Sequence, residues 1–354
     1  MLPRQPGDDH TESREAPSGL QRTVNTMRAY RMHDADGGPQ LQLHDVPQPE
    51  PGAGQLLIRV RAAGLNRGEF ITGHGLHARG GGAKPVGTEA AGEVLAIGPG
   101  VDGWRVGDRA MGRCPGAFAE CALLDQREAI AMPPALDWPH AGAIPLTFMV
   151  VYDMLVLQGQ LRAGETLLVA GVTSGVGVSA LQAAKAMGAT VIGTFGSATK
   201  LERLRAEGLD VGLCTRTPDF ADAVLQATDN RGADLVIDAV GGSVFAECVR
   251  ALAFQGRLAM VGYVDGVLRA ELDLETLHAK RLRLFGVSNK LRTPQQRAEP
   301  VPGFKADWLP LFASGRLRPL VDRVLPFERL AEAKAAMEAG EHVGKIVLAG
   351  SADR

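Results

Sequence analysis

The chain has 354 residues, a formal net charge of -2, and 45% hydrophobic and 22% charged residues. This length suits two domains, and the near-neutral charge gives no support for a nucleic-acid or anionic-membrane partner. No apolar run is long enough to predict a transmembrane helix. Four scattered cysteines (Cys114, Cys121, Cys214 and Cys248) lack the spacing of a zinc site or a disulfide framework, which indicates a reducing, cytoplasmic location.

The first half of the chain is predicted to be rich in β-strands. Residues 1–26 are polar and lack the apolar region of a signal peptide, so we expect a disordered extension, with Met27 opening the fold. From Met27 to about Val150, short apolar segments alternate with glycine-rich turns, and the strands are predicted at 55–62, 87–97, 110–111 and 117–124. This pattern is typical of a barrel-like β domain.

From residue 151 to 289 the pattern changes to alternating strands and helices. We predict six strands, at 166–170, 190–194, 211–214, 235–239, 256–261 and 283–286. Such alternation is typical of an α/β domain with a doubly wound parallel sheet. After a return to helices, a final strand is expected at 344–348. The predicted layout is therefore a β domain, 27–150 and 290–354, split around a nucleotide-binding domain, 151–289. Segments 74–84, with His74 and His77, and 293–303 are interpreted as mobile loops that shape the substrate pocket.

A dinucleotide-binding motif lies between the first two strands of the α/β region. Gly175, Gly177 and Ala180 have G-x-G-x-x-A spacing, with an apolar strand before them and an alanine-rich helix after them. We interpret Gly175 as allowing a tight turn, Gly177 as admitting a pyrophosphate close to the backbone, and Ala180 as packing the helix on the strand. The start of the helix, with Ser174 and Val176, offers N–H groups and a positive dipole end to the phosphates.

The second strand of this region indicates which dinucleotide binds. An NAD site usually has an acidic residue there, yet no carboxylate occurs from Ala189 to Leu201. The segment offers Gly193, Ser197 and Lys200 instead, and a lysine favours the 2′-phosphate of NADPH. Arg203 and Arg205 follow, and at least one of them is interpreted as part of a solvated helix face.

Several segments together carry a family resemblance: AAGLNRGEF (62–70), GTEAAGEV (87–94), VGDR (106–109), AGVTSGVG (170–177), GTFGSATK (193–200), IDAVGG (237–242) and HVGKIVL (342–348). They resemble the medium-chain dehydrogenase/reductases, in the zinc-independent quinone oxidoreductase and enoyl reductase branch. The NRGEF segment is similar to the subgroup of the p53-inducible quinone reductase. The resemblance implies a GroES-like β domain split around a Rossmann domain, a cleft for NADPH and substrate between them, and a homodimer.

The resemblance also implies site residues. Asn66 is expected near the nicotinamide ribose and the substrate as the catalytic candidate, with a turn-stabilising asparagine as the alternative. Further expected cofactor contacts are Arg216, which would replace a tyrosine at the 2′-phosphate, and Gly262, Tyr263, Val287, Ser288 and Asn289. Lys290 and Arg292 either bind phosphate or cap the region. Cys214 is interpreted as a small buried residue.

Two departures from the family pattern bear on the reaction. Thr88 stands where zinc-dependent members have a ligating histidine, so we expect no metal and interpret Glu89 as a structural hydrogen-bonding residue. Ile71 replaces a tyrosine that serves as a possible proton donor, so we expect protonation from solvent. The implied reaction is hydride transfer from NADPH to a quinone or an α,β-unsaturated carbonyl. Three alternatives remain: an enoyl-thioester reductase, a tailoring reductase of secondary metabolism, and an NADPH-binding sensor with little turnover.

Overall fold

The computed structural model describes residues 25–35, 38–71 and 83–351. The predicted N-terminal extension lies outside these ranges up to residue 24, as do His74 and His77 of the predicted 74–84 loop. The first strand begins at Thr26, one residue before the expected Met27.

Sixteen strands form within the described part of the chain. They are β1 (Thr26–Ala35), β2 (Gly38–Pro47), β3 (Gln55–Gly64), β4 (Lys84–Pro85), β5 (Glu89–Ile97), β6 (Arg109–Arg113), β7 (Cys121–Asp125), β8 (Ile130–Ala131), β9 (Thr166–Ala170), β10 (Thr190–Phe195), β11 (Val211–Cys214), β12 (Ala233–Asp238), β13 (Leu252–Met260), β14 (Arg283–Gly286), β15 (Val321–Leu325) and β16 (Lys345–Ala349).

Eleven α-helices form in the same part of the chain. They are α1 (Trp138–Gly142), α2 (Thr147–Tyr152), α3 (Gly175–Ala186), α4 (Leu201–Ala206), α5 (Ala221–Ala227), α6 (Gly242–Arg250), α7 (Leu274–Ala279), α8 (Pro294–Ala298), α9 (Val301–Asp307), α10 (Leu309–Ala313) and α11 (Leu330–Glu338). A π-helical segment, Asp153–Gln158, continues α2, and short 3₁₀ turns occupy Arg67–Phe70, Ala198–Lys200 and Phe327–Arg329.

The predicted doubly wound parallel sheet is confirmed. Strands β9 to β14 form one six-stranded sheet in the order β11-β10-β9-β12-β13-β14, and every neighbouring pair is parallel. The bounds of β9, β11 and β14 agree with the sequence prediction. Strand β13 begins at Leu252 rather than Gly256, because its pairing with β12 contains an irregularity that the hydrophobic pattern does not reveal. The order of the strands reverses at β9, which is the position where such sheets bind nucleotides.

Both faces of this sheet are buried, as its continuous apolar strands require. Along β9, Leu167 and Val169 join a core with α3 and the helices α9 and α10, whereas Leu168 and Ala170 join a core on the opposite face. Successive side chains of a strand point to opposite faces, so a strand covered on both sides must be apolar throughout. All five residues of β9 are buried.

The β-rich remainder forms antiparallel layers. A seven-stranded sheet has the order β15-β16-β3-β5-β6-β8, with β7 pairing to β3, and a three-stranded sheet has the order β2-β1-β4. The first and last thirds of the chain therefore share one sheet, in which β16 pairs with β3. The exact domain boundaries remain a prediction.

The segment 293–303, interpreted from sequence as a mobile loop, contains α8 and the start of α9 instead. Thr293 and Gln296 form a reciprocal capping box, and Pro294 occupies the first turn of α8. Both features are helix-start signals, and we missed them because the proline and glycine content dominated the interpretation. No helix in the described residues is both long and apolar enough to cross a membrane.

Candidate active site

A cleft with about 1730 Å³ of empty space, open to solvent, lies at the carboxyl ends of the parallel strands. The residues that follow β9, β12, β13 and β14 line one side of it, and residues around β3 and β16 line the other. Of the predicted site residues, those at the cleft are Asn66, Ser174, Gly175, Val176, Gly262, Tyr263, Val287, Ser288 and Asn289. The predicted residues Gly177, Gly193, Ser197, Lys200 and Arg216 lie outside its lining.

The N-terminus of α3 points an anion-binding end at the cleft. Ser174 caps the helix: its Oγ accepts a hydrogen bond from Gly177 N at 3.0 Å and donates one to Gly171 O at 3.0 Å. Helix geometry leaves the N–H groups of Gly175 and Val176 without acceptors inside the helix. Both residues line the cleft, so these donors and the positive end of the helix dipole are available to a phosphate.

The tight turn predicted at Gly175 lies at Gly171 instead, and both motif glycines have packing roles that the sequence did not indicate. The turn after β9 depends on Gly171, whose φ is 82°, whereas Gly175 does not have positive φ. Gly175 is required because a Cβ there would lie 2.7 Å from Lys345 Cδ. A Cβ on Gly177 would lie 2.6 Å from Gly171 O, so this glycine permits close packing of the helix on the loop. The expected packing role of Ala180 is confirmed, since it is fully buried in the core with β9.

The predicted 2′-phosphate residues gather beyond the end of β10. Lys200 Nζ donates to the carbonyls of Gly340 and His342, which both line the cleft, so Lys200 lies at its rim. Arg216 Nε donates to Gly196 O at 2.9 Å, and its two terminal nitrogens make no hydrogen bond within the described residues. Proximity of Arg216 contributes to lowering the pKa of Lys200, although burial is the larger cause.

Other residues of this segment make contacts within the chain, and the predicted cofactor contact of Ser197 stays a prediction. Gly193 is buried, and a Cβ there would lie 2.7 Å from Val172 Cγ1, so it packs β10 rather than facing a ligand. Arg203 pairs with Asp322 at 2.6 Å and Arg205 pairs with Glu202 at 3.0 Å. Ser197 Oγ and Thr199 Oγ1 are 2.8 Å apart on the exposed turn.

A buried ammonium group forms the floor of the cleft. Lys345, at the start of β16, has a side chain only 3% exposed and forms an ion pair of 2.7 Å with Glu89, which is fully buried. Its Nζ also lies 2.8 Å from Asn66 Oδ1, 2.8 Å from Leu65 O and 3.0 Å from Thr147 Oγ1. An ammonium has three N–H donors, so these four oxygens engage all of them.

Asn66 is held in a fixed orientation by this network. Its Oδ1 accepts from Lys345, and its Nδ2 donates to Glu89 Oε1 at 3.0 Å. Its backbone N–H donates to Glu69 Oε2 at 2.9 Å, which anchors the start of the 3₁₀ turn. The backbone of Asn66 therefore stabilises the turn, as in the alternative interpretation, while the residue also lines the cleft.

Two buried carboxylates surround the ammonium. Glu89 Oε2 accepts from Leu146 N at 2.8 Å, in agreement with the structural role expected from sequence. Glu69 accepts from the Thr88 hydroxyl, and burial raises its pKa to about 7, against the opposing effects of Thr88, Asn66 and Lys345. Elsewhere, too, the described residues bring no three His, Cys, Asp or Glu side chains together as a metal site.

The Glu69 carboxyl predicts a specific pH dependence of stability. Its folded pKa of about 7 exceeds its ordinary value of 4.5, so between these pH values the folded state holds more protons than the unfolded state. Stability should therefore fall as pH rises through this window. Glutamine does not titrate, so the free energy of unfolding of Glu69→Gln should fall by roughly 2 kcal/mol less than that of the parent between pH 5 and 8. Urea unfolding across this pH range measures the difference.

The control for this measurement is the exposed Glu50→Gln, which should leave the pH profile unchanged. Burial lowers the pKa of His342 to about 4, below its ordinary value of 6.5. Between these two pH values this histidine makes stability rise with pH, which opposes the effect of Glu69. His342 contributes equally to both proteins, so the quantity to compare is the difference in free energy of unfolding between variant and parent at each pH. A variant profile parallel to that of the parent would contradict the prediction.

Sequence reasoning missed Lys345 and Thr147. A lysine in an otherwise apolar strand was the available signal, because lysine is almost never fully buried unless it is paired. Cys214 was predicted to be buried, and this is wrong: it is exposed, because β11 is the edge strand of the parallel sheet. Tyr152 donates to Asp307 Oδ2 at 2.7 Å and packs on Phe304 and Trp308, so its role is structural.

Similarity to known proteins agrees with this architecture. Residues 175–298 match the family model described as zinc-binding dehydrogenase, and residues 52–134 match the alcohol dehydrogenase GroES-like domain. The synaptic vesicle membrane protein VAT-1 homolog of Homo sapiens is 30% identical over 87% of this chain and 82% of its own length. The chain belongs to the medium-chain dehydrogenase/reductase family. It is placed in the quinone oxidoreductase branch by its solved neighbours.

Those neighbours among the medium-chain dehydrogenase/reductases cover almost the whole fold. The mycobacterial protein Rv1454c, solved in complex with NADPH, has a TM-score of 0.82 and 28% identity over 91% of this chain and 99% of its own. The quinone oxidoreductase of Pseudomonas syringae pv. Tomato DC3000 has a TM-score of 0.80 and 26% identity over the same shares of the two chains, 91% and 99%.

A further medium-chain relative is much longer. The spectinabilin polyketide synthase system protein NorB of Streptomyces orinoci is 32% identical over 95% of this chain. The chain spans 15% of that protein's length.

Proposed function

We propose that this family member is an NADPH-dependent, zinc-free reductase that transfers hydride to a quinone or an α,β-unsaturated carbonyl. The observation that carries the proposal is the pairing, in one cleft, of an anion-binding helix start with an amide held over a buried ammonium group. The N-terminus of α3 suits a pyrophosphate, and Asn66 on Lys345 suits a polar, uncharged part of the cofactor or substrate.

The residues of the cleft fit a dinucleotide. Gly262 lies just after β13 and Gly286 is the last residue of β14, and both have open space where a side chain would be. A Cβ on Gly262 would meet only Ala239 O, at 3.7 Å, and one on Gly286 would meet nothing within 4 Å. Backbone without side chains at these strand ends leaves room for a flat ring. Val287, Ser288 and Asn289 also line the cleft, and Lys200, which donates to His342 O at the cleft, would together with Arg216 offer positive charge to a 2′-phosphate.

Bound NADPH would supply the hydride, and the chain supplies position and a dry environment. Asn66 is oriented by Lys345 and Glu89, so its amide is preorganised before substrate binds. Val150 and Val287 cover the cleft with apolar surface. All three donors of Lys345 are engaged by oxygens of the chain, so none is left to point at a substrate. This supports our expectation that the proton comes from solvent.

The function is tested by NADPH consumption with a panel of quinones, enones and enoyl thioesters. We expect turnover with a quinone or an enone. Binding of NADPH without turnover of any compound would contradict the proposal and favour the sensor alternative.

Arg216→Ala tests the cofactor preference. We expect KM for NADPH to rise about 10- to 100-fold, because a charge-assisted contact to the 2′-phosphate is lost, while KM for NADH stays unchanged. The matched control is Arg205→Ala, an exposed arginine already paired with Glu202. Equal effects on the two cofactors would contradict the assignment of NADPH.

The similarity to NorB favours the enoyl-thioester alternative as a second candidate. That protein is a polyketide synthase system component by name, and this chain matches only a part of it. The same panel decides between the two, since a thioester substrate should then surpass every free enone in kcat/KM.

We also propose a homodimer and a cytoplasmic location. Phe254, Leu268 and Leu274 are large apolar residues that are 63%, 72% and 69% exposed, and a partner subunit could cover them. All four cysteines are free, which suits a reducing compartment. Light scattering at micromolar concentration tests the dimer, and a monomeric mass would contradict it.

A further inference from the structure

A second, small pocket adjoins the cleft between β6 and α8; it has about 520 Å³ of empty space, open solvent included, and an accessible interior with room for about two water molecules. It shares five lining residues with the cleft: Leu146, Val150, Val287, Ser288 and Asn289. The two pockets therefore adjoin at the wall formed by Val287, Ser288 and Asn289. A substrate whose reacting carbon lies in the cleft could place a small group, of the size of a carboxylate, in this small branch of the cleft.

The branch is lined by more positive than negative charge. Three arginines, Arg113, Arg292 and Arg297, surround it, together with the carboxylates of Glu128 and Asp153. We call this set the arginine pocket. Arg297 Nε lies 3.4 Å from Glu128 Oε1, a long contact for an ion pair, and Asp153 accepts from Gln158 Nε2 at 3.2 Å. Even with both carboxylates ionised, one guanidinium charge is left without a partner.

Arg113 supplies the second observation. Its Nε is buried and has no hydrogen-bond partner among the described residues. A buried donor without a partner is unfavourable, and most such groups in folded proteins are satisfied. Burial also lowers the pKa of Arg113, which Glu128 opposes, so the pocket does not fully compensate this charge. An anion in the branch would satisfy both the donor and the charge.

We propose that the arginine pocket binds an oxyanion, a carboxylate or a phosphate, on the substrate at a distance from its reacting double bond. This inference rests on the proposed reductase function and names the substrate class. Guanidinium groups match the planar oxygens of carboxylate and phosphate with paired hydrogen bonds, so several arginines favour an oxyanion over a neutral polar group. The pocket thus selects acidic enones, or enoyl groups on a phosphate-bearing carrier.

Three enones of the same skeleton test this selection: a neutral methyl ester, the free carboxylate and a phosphate monoester. We expect kcat/KM for at least one anionic compound to exceed that for the ester by about tenfold or more. Which of the two anions is preferred identifies the source of the oxyanion. Arg113→Met should reduce this preference at least tenfold, through KM. The control Arg316→Met, an exposed arginine outside both cavities, should leave it unchanged.

A binding measurement makes the test independent of turnover. The saturated carboxylate and phosphate analogues should bind the parent protein in calorimetry more tightly than the saturated ester, and Arg292→Met should weaken this binding if Arg113→Met does not fold. Reduction of all three enones with equal kcat/KM, and equal binding of the analogues, would overturn this inference and leave the reductase function standing. Reduction of none of them would overturn the proposed function, while the binding data would still decide on the pocket.

Discussion

Lys345→Met is expected to lower the free energy of unfolding by about 3–5 kcal/mol, because it leaves the carboxylate of Glu89 buried without its cation. Glu89 is fully buried, so water cannot replace the lost cation. Its remaining hydrogen bonds come from the neutral donors Asn66 Nδ2 and Leu146 N. Urea unfolding measures the change. Adding Glu89→Gln to Lys345→Met should recover part of the loss, since the double variant buries no unpaired charge.

The same substitution should reduce kcat/KM about 100-fold in the folded fraction, because Asn66 loses the contact that orients its amide. Thr147→Val provides a milder version, since it removes one acceptor of Lys345 and keeps the ion pair with Glu89. The control is Lys334→Met, which removes a helix-surface pair with Glu338 and should cost less than about 1 kcal/mol. A loss for Lys345→Met as small as that of the control would contradict the role of the ammonium.

Gly177→Ala is the second substitution with a large expected effect. The new Cβ would lie 2.6 Å from Gly171 O and 2.7 Å from both Cα and O of Val172, so the backbone must shift. We expect a loss of about 3 kcal/mol of stability from this overpacking. A displacement of the α3 N-terminus by about 1 Å should also weaken productive NADPH use about 100-fold.

Gly286→Ala is the matched control for the stability effect of that substitution, and not for its effect on KM, because Gly286 lines the cleft. A Cβ at Gly286 meets nothing within 4 Å and the residue does not have positive φ, so its stability should change by less than about 1 kcal/mol. Thermal unfolding and KM for NADPH measure the two effects of Gly177→Ala. If Gly177→Ala changed stability as little as Gly286→Ala does, the close approach of helix and loop would not be the reason for this glycine.

Much of the parallel sheet could be predicted because its signals are local. Strand β9 is buried on both faces, so it appears as an unbroken apolar run, and the glycines after it mark the turn into α3. The same locality explains why Ser174 and Gly262 could be placed at strand ends. The roles of Gly175 and Gly177 could not be assigned in this way, since the atoms that a Cβ would meet belong to Lys345 and to the preceding loop.

The polar floor of the cleft depends on contacts between distant parts of the chain. Lys345 and Glu89 are 256 residues apart in sequence, and Thr147 is 198 residues from Lys345. No periodicity or spacing brings such residues together; only the pairing of β16 with β3 and β3 with β5 does. The arginine pocket has the same origin, because Arg113 ends β6 whereas Arg292 and Arg297 lie around α8.

Isotope labelling is the most direct test of hydride transfer from NADPH to carbon. An enone should be reduced with NADPH carrying deuterium on either face of C4, and the product examined by mass spectrometry and NMR. We predict one deuterium at the β-carbon from one of the two labelled cofactors. The reaction in D₂O with unlabelled NADPH should place deuterium at the α-carbon. A product without cofactor-derived deuterium at carbon would contradict the account.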